Sequence, residues 1–214
     1  MKDYFICPAK SLVLDIPYPY EEMLEEAKRL SHRFVPHRPG QSSGWESLTL
    51  HGLGEDKTGS FEDYGYKHGG DAGKDMFWTK ASEECPITTN FLLNNFPSNR
   101  FGRVRFMKLK PGGYIGSHSD SSKPIIENIN LVLNNPKECM WRWEDDGEEV
   151  FMEPGKAYGM NVHYNHSVHN RSTEDRYHMI VVRHDSTLEW KRLIDEAAKQ
   201  AAATGEYVTF DYLP

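Results

Sequence analysis

The sequence predicts a mainly β fold with flanking helices, a barrel or sandwich of short strands. Three observations predict it. Between Phe101 and Asp185 short apolar stretches alternate with Gly, Pro and Asn: RVRFMKL, YIGSH, INLVL, CMWRW, EEVFM, AYGMNV, HSVHN and YHMIVVRHD. Eight short strands at such close spacing are the pattern of a closed or two-layered β structure. Helical periodicity lies before and after that block, not inside it. The 214 residues also suffice for one domain with a generous core, and no internal repeat or low-complexity linker divides them. One domain over 1–214 is expected: a helical N-terminal part over about 1–100, a barrel over about 101–185 and a C-terminal helix over about 186–203.

The elements follow in order. Residues 10–16 (KSLVLDI) read as a short strand. In 17-PYPYEEMLEEAKRLSHRF-34, prolines precede a helix whose first turn is acidic and whose end carries Lys28, Arg29, His32 and Arg33. That order suits the helix dipole. Met23, Ala27, Leu30 and Phe34 form its apolar face. After the break 36-PHRPGQSSG-44, Trp45, Ser47, Thr49 and His51 alternate with Leu48 and Leu50, as in a strand. Residues 52–75 are rich in Gly, Asp and Lys without periodicity, a long loop and a candidate lid. Residues 86–95 (PITTNFLLNN) read as a short helix, and 144-EDDGEE-149 as a hairpin turn around Asp-Gly.

Composition narrows the classes of function. Net charge is −7 and mean hydropathy −0.69, which describe a soluble protein and disfavour nucleic acid as a partner, since such domains carry a basic face. Cys7, Cys85 and Cys139 are odd in number and form no CxxC pair, so they read as reduced thiols of a cytoplasmic protein. No apolar run resembles a signal peptide or a membrane span, so no membrane partner is expected.

The chemistry is concentrated in 117-SHSD-120 and 166-HSVHNRSTEDR-176. Residues i and i+2 of a strand point the same way, so His118 and Asp120 can aim into one pocket. A histidine from a distant strand would complete a facial triad of two His and one carboxylate, which leaves open positions on a metal and marks non-haem Fe(II) oxygenases. His163, His166 and His169 compete for the third place. An arginine fork that binds a dicarboxylate's far end belongs at the start of the strand after the distal histidine. Arg176 lies ten residues beyond His166, room for a strand end, a turn and the next strand. His166, Val168 and Asn170 share one face, with His169 on the other, so His166 is preferred. By the same parity Val104 and Phe106 face outer helices, while Arg103, Arg105, Met107 and Leu109 face the cavity. His163 and His169 are expected on the surface or behind the ligands. His178 shares a face with Arg176. One face of the Trp141/Trp143 pair is expected in the core.

These stretches resemble the 2-oxoglutarate/Fe(II)-dependent dioxygenase superfamily, and within it the aspartyl/asparaginyl β-hydroxylase-like branch that includes microbial proline hydroxylases. The matching segments are WESLTLHG, RVRFMKLKPGGYIGSHSD, INLVL, PGKAYGMNVHYNHSVHN and DRYHMIVV, spread over about 45–185, with the sharp motifs within 101–184. The resemblance implies a double-stranded β-helix (a cupin-like jelly roll) and a hydroxylase that yields succinate and CO2. It implies Fe(II) on His118, Asp120 and His166, and 2-oxoglutarate as co-substrate with Arg176 on its far carboxylate. It places Met107 and Leu109 along the co-substrate. Asn130 stands where the animal enzymes have a co-substrate-contacting His, with Asn128 two residues away. Arg105, deeper in the barrel, and Asn128 are candidates for the substrate. The animal enzymes lack the metal-binding acid; Asp120 restores the ordinary triad and argues against halogenation. The expected substrate is an amino acid, free or within a peptide. The competing reading is a non-redox cupin-like metal protein, an isomerase or binding module, which would share the barrel and the metal residues but have no use for Arg176.

Overall fold

The structure is a computed structural model that describes residues 5–6, 9–67, 69–121, 124, 126, 128–184, 187–203 and 211–212. Cys7 and most of the tail 204–214 lie outside the described residues. The strands run in chain order as β1 (Phe5–Ile6), β2 (Ser11–Leu14), β3 (Val35–Pro36), β4 (Ser42–Gly52), β5 (Phe77–Trp78), β6 (Phe101–His118), β7 (Asn128–Asn134), β8 (Cys139–Trp143), β9 (Glu149–Val150), β10 (Ala157–Met160), β11 (His166–Asn170), β12 (Arg176–Arg183) and β13 (Asp211–Tyr212). The helices are α1 (Tyr20–Arg29), α2 (Gly69–Ala72), α3 (Lys80–Glu83), α4 (Pro86–Asn94) and α5 (Leu188–Ala203). Strands β2 to β12 form one 11-stranded antiparallel sheet that curls on itself, in the order β2-β10-β7-β12-β6-β11-β8-β9, with β4 also paired to β6 and carrying β3 and β5.

The sheet separates two cores, and strand parity sorts residues between them. On the outer side Val104, Phe106, Ile129, Leu131, Met179 and Val181 pack against Met23 and Ala27 of α1 and Trp190 and Ile194 of α5. On the inner side Met107, Leu109, Val132, Trp141, Trp143 and Val168 fill the barrel. The parity expected for β6 is observed, and both tryptophans face inward.

Two expectations for the strands need correction. RVRFMKL and YIGSH are not separate: they are halves of the 18-residue β6. The intervening PGG is a bulge, not a connecting turn. Gly112 takes φ +69°, and a Cβ on Gly113 would stand 2.9 Å from the Ser43 carbonyl of β4. Glycine here lets β6 bend while β4 stays beside it. Across the bulge β6 exchanges its partner on one edge: β12 along Phe101–Leu109, then β11 along Tyr114–His118. That exchange brings His118 opposite His166. Second, EEVFM contributes only the two residues of β9. The N-terminal part is also less helical than expected, since β2 and β4 are integral to the barrel sheet. The Asp-Gly hairpin joins β8 to β9, with Gly147 at φ +76°. Loop 52–75 contains a 3₁₀ turn at Glu62–Tyr64 and the short α2.

A buried carboxylate ties the helical layer together. Glu26 of α1 accepts from the backbone N–H groups of Ile87 and Thr88 at 2.9 Å each and from the Thr88 hydroxyl at 2.6 Å. It thereby caps α4, whose Pro86 begins the helix and needs no cap of its own. Glu26→Ala leaves these donors buried and unpaired. Urea denaturation should register a loss of about 2–3 kcal/mol, with the metal residues untouched. Among the described residues no helix is long and apolar enough to cross a membrane.

Candidate metal centre

Nε2 of His118 lies 3.5 Å from Oδ2 of Asp120, and Nε2 of His166 lies 4.0 Å from the same oxygen. The three ligand-type atoms fall within 4.8 Å of one another. Metal bonds of about 2.1 Å set neighbouring ligand atoms about 3 Å apart, so a small rotation of each side chain closes the set on one ion. Backbone carbonyls prepare both rings for that. His118 Nδ1 faces the Gly116 carbonyl at 2.8 Å, and His166 Nδ1 faces the Tyr164 carbonyl at 2.9 Å. A hydrogen on each Nδ1 leaves the Nε2 lone pairs directed at the Asp120 oxygen. Trp141 stacks flat on the His166 ring, with centroids 4.4 Å apart and planes at 11°, and so limits its rotation. Among the described residues this is a donor set that fits a divalent ion with two imidazoles and one carboxylate, and it leaves one side of the ion clear of protein ligands.

The other oxygen of Asp120 is occupied. Arg38 Nη1 donates to Oδ1 at 2.9 Å. Burial works to raise the Asp120 pKa, but the His118 imidazole beside it and the charge of Arg38 outweigh it and hold the carboxyl well below the usual range. Nothing in the sequence pattern pointed to Arg38; it comes from a loop 82 residues away and sits at φ +47°.

A second cluster lies deeper. Arg176 is 1% exposed. Its Nε donates to Asn135 Oδ1 at 2.9 Å, and Nη2 lies 3.4 Å from the Met152 sulfur. Its Nη1 has no hydrogen-bond partner among the described residues. Burial pushes its pKa down. An unpaired guanidinium nitrogen in an apolar interior is costly unless an anion meets it. Its neighbours on the same face are Leu109 across the ladder and His178 two residues along. Asn130 also points inward, with its buried Oδ1 unpartnered, and Val132 follows on the same face. The expected co-substrate residues Arg176, Asn130, Met107 and Leu109 therefore line one interior, which suits a carboxylate at Arg176.

Between the two clusters stands Arg105, opposite Thr49 and Ile180 in the ladder. Burial, then the charges of Arg103 and Arg38, bring its pKa down to about 9, so it stays charged at neutral pH. Its Nε is unpartnered among the described residues, while Nη1 donates to the Thr58 carbonyl at 3.5 Å. Arg103 donates to the Gly59 carbonyl and lies 4.2 Å over the Phe61 ring. Both β6 arginines thus hold loop 52–75 against the barrel mouth. The loop and residues 35–41 enclose a cleft of about 880 Å³ that ends on His118 and Asp120. Asn128 is half-buried at the end of β7, next to Met160 of β10.

The competing histidines fall elsewhere. His169 points outward against Tyr114, and His163 faces the Ser121 carbonyl at 3.1 Å. Sequence reasoning missed Arg38, Asn135 and Met152, because each reaches its partner through long-range pairing.

Three buried histidines make the fold sensitive to acid. Burial first, then neighbouring arginines, lowers His37 to about 2 and His178 well below the ordinary range; burial, with His118 and Arg38 adding to it, brings His166 to about 4. Burial also acts to lower His118, but the neighbouring Asp120 carboxylate and the Gly116 carbonyl outweigh it and leave its pKa raised. The three depressed groups take up protons on unfolding once pH falls below about 6.5, so their stabilisation is present above that pH and lost below it. His118 acts in the opposite sense and offsets one of them. The metal-free protein should be on the order of 3 kcal/mol less stable at pH 5.5 than at pH 7, as urea melts at the two pH values would measure.

Comparison with known proteins assigns the chain to a family. The family model described as aspartyl/asparaginyl beta-hydroxylase matches residues 15–184, most of the chain. The chain belongs to that family. The match spans every residue of both clusters, and it makes the protein an oxygenase of the hydroxylase type. Among solved structures, the fold is similar to that of an oxidoreductase of the 2OG-Fe(II) oxygenase family from Burkholderia pseudomallei, with TM-score 0.50 at 12% identity over 84% of this chain and 88% of that one. A prolyl-4-hydroxylase from Pseudomonas putida has TM-score 0.47 at 13% identity over 83% and 95% of the two chains. Among curated proteins, none matches the sequence significantly.

Proposed function

We propose that the protein is an Fe(II)- and 2-oxoglutarate-dependent hydroxylase of an amino acid, free or as a residue in a peptide, releasing succinate and CO2. One observation carries the reading: a His–Asp–His cluster with its Nε2 atoms on one carboxylate oxygen shares a barrel with a fully buried arginine whose Nη1 has no partner among the described residues. A non-redox cupin-like module needs the first feature and not the second.

In this reading His118, Asp120 and His166 hold the iron, and bound iron supplies the activation of dioxygen that side chains alone cannot. The chain's own residues do the rest. Gly116 and Tyr164 carbonyls keep both imidazoles in the ligating tautomer. Arg176 takes the distal carboxylate of 2-oxoglutarate, with Asn135 orienting its guanidinium through Nε. Met107, Leu109 and Val132 exclude water around the co-substrate chain, and Asn130 adds a polar contact. Arg105, charged and with its Nε unpartnered among the described residues, takes a substrate carboxylate, and Asn128 at the start of β7 is a second candidate contact. The tethered loop 52–75 covers the cleft through which the substrate enters.

The test is anaerobic. Addition of Fe(II) and then 2-oxoglutarate to the metal-free protein should produce the weak visible charge-transfer band of the chelate. Succinate release in air, with amino acids and peptides as candidate substrates, then identifies the substrate. Metal binding without a band would sink the hydroxylase reading and leave the non-redox module.

A further inference from the structure

His178 is 3% exposed, and neither of its ring nitrogens has a hydrogen-bond partner among the described residues. Its ladder neighbours on the same face are Met107 of β6 and Val132 of β7, and Ile180 follows it along β12. Val132 and Ile180 offer neither donor nor acceptor, and the Met107 sulfur, a weak acceptor, takes no hydrogen bond from the ring. Burial, then the charges of Arg176 and Arg105, keeps the ring neutral, so it presents one N–H donor and one bare nitrogen. Two buried, unsatisfied nitrogens destabilise a fold, whereas a Leu at this position would pack against Met107 and Val132 without that loss. The ring is therefore poorly explained by stability.

Arg176, two residues earlier on the same face, is only partly available. Its Nε is committed to Asn135 and its Nη2 faces the Met152 sulfur, which leaves Nη1 as the one wholly unpaired nitrogen of the guanidinium. A carboxylate's two oxygens accept about four hydrogen bonds, more than a guanidinium held by Asn135 and Met152 can supply from one side, so they have room for a donor from another residue. Resting on the reading that the barrel binds 2-oxoglutarate, we propose that the N–H of His178 and the free Nη1 of Arg176 together bind the distal carboxylate of the co-substrate. His178 is then a selectivity residue for a dicarboxylate over a monocarboxylic 2-oxo acid. Alternation along β12 carries both donors inward while Tyr177 between them packs outward.

The experiment compares His178→Leu and His178→Gln with the unaltered protein. Dissociation constants for 2-oxoglutarate, and for 2-oxopentanoate, which lacks the distal carboxylate, are read from the anaerobic Fe(II) chelate band. Melting temperature is read on the metal-free protein. We expect His178→Leu to weaken 2-oxoglutarate about 10- to 100-fold, the range for losing one hydrogen bond to a charged group. We expect 2-oxopentanoate and Fe(II) affinities to stay within about twofold, the melting temperature to hold or rise, and His178→Gln to regain most of the 2-oxoglutarate affinity. An equal loss for both 2-oxo acids, or 2-oxoglutarate affinity unchanged in His178→Leu, would overturn the proposal. If 2-oxoglutarate binding is lost in Arg176→Met but intact in His178→Leu, this proposal alone falls. If the unaltered protein binds no 2-oxoglutarate, the hydroxylase reading falls and takes the proposal with it.

Discussion

Arg176→Met should abolish measurable 2-oxoglutarate binding while leaving metal binding intact. The guanidinium is fully buried, its Nη1 has no partner among the described residues, and the same barrel interior is filled by Leu109, Met107 and Val132. A co-substrate carboxylate that entered this interior without Arg176 would be desolvated and uncompensated. The loss should be at least about 100- to 1000-fold in affinity, the cost of truncating one partner of a buried charge pair. Methionine keeps most of the side-chain volume next to Met152, so the barrel need not collapse. It also removes a buried charge that the metal-free protein leaves partly unpaired, so thermal stability should hold or increase. Calorimetric titration with 2-oxoglutarate on Mn(II)-loaded protein, beside a melting curve, would read both. Unchanged 2-oxoglutarate affinity would favour the non-redox module.

His166→Ala should be the most damaging single change to the metal site. The ring is 3% exposed, stacks on Trp141 and lies opposite His118 across the β6–β11 ladder. Removing it takes one of three ligands and opens a cavity beside Trp141. Fe(II) affinity should drop by more than about 100-fold, beyond the usual effect of a residue that merely supports a ligand. The chelate band should vanish even at saturating 2-oxoglutarate. His169→Ala is the control: that ring faces outward against Tyr114, and its loss should leave both metal affinity and the band as they were. Equal effects of the two substitutions would show that the metal sits elsewhere.

Much of the site was legible because β structure converts sequence parity into direction. His166 with Val168 and Asn170, and Arg105 with Met107 and Leu109, each fall on one face for that reason; His118 and Asp120 also converge, but Asp120 lies past the end of β6, where the chain bends, so strand parity is not what brings it there. The longer helices α1, α4 and α5 were legible, α1 through charge order and apolar spacing, as Met23 and Ala27 show by their complete burial, whereas the one-turn helices α2 and α3 were not. The misreadings have a common cause as well. PGG reads locally as a turn, yet it is a bulge, because β4 runs beside both halves of β6 and keeps the strand continuous. Glycine and proline report that the backbone departs from regularity; whether the strand ends or bends depends on what pairs with it.

Composition and local pattern alone determined the strand-rich block, the inward faces of Arg103–Leu109 and His166–Asn170 and the residue types able to hold a metal and a dicarboxylate. These are short-range properties, set by the two-residue period of the strand and by the chemistry of His, Asp and Arg side chains. Only the tertiary structure decided which partners complete them. Arg38 on the second oxygen of Asp120, Asn135 on Nε of Arg176 and the carbonyls of Thr58 and Gly59 on the β6 arginines come from segments joined by sheet register and loop closure. So does the isolation of His178, whose ring has no hydrogen-bond partner among the described residues and whose ladder neighbours are Met107 and Val132, strands apart in sequence. Register is a property of the whole sheet, and no window of sequence contains it.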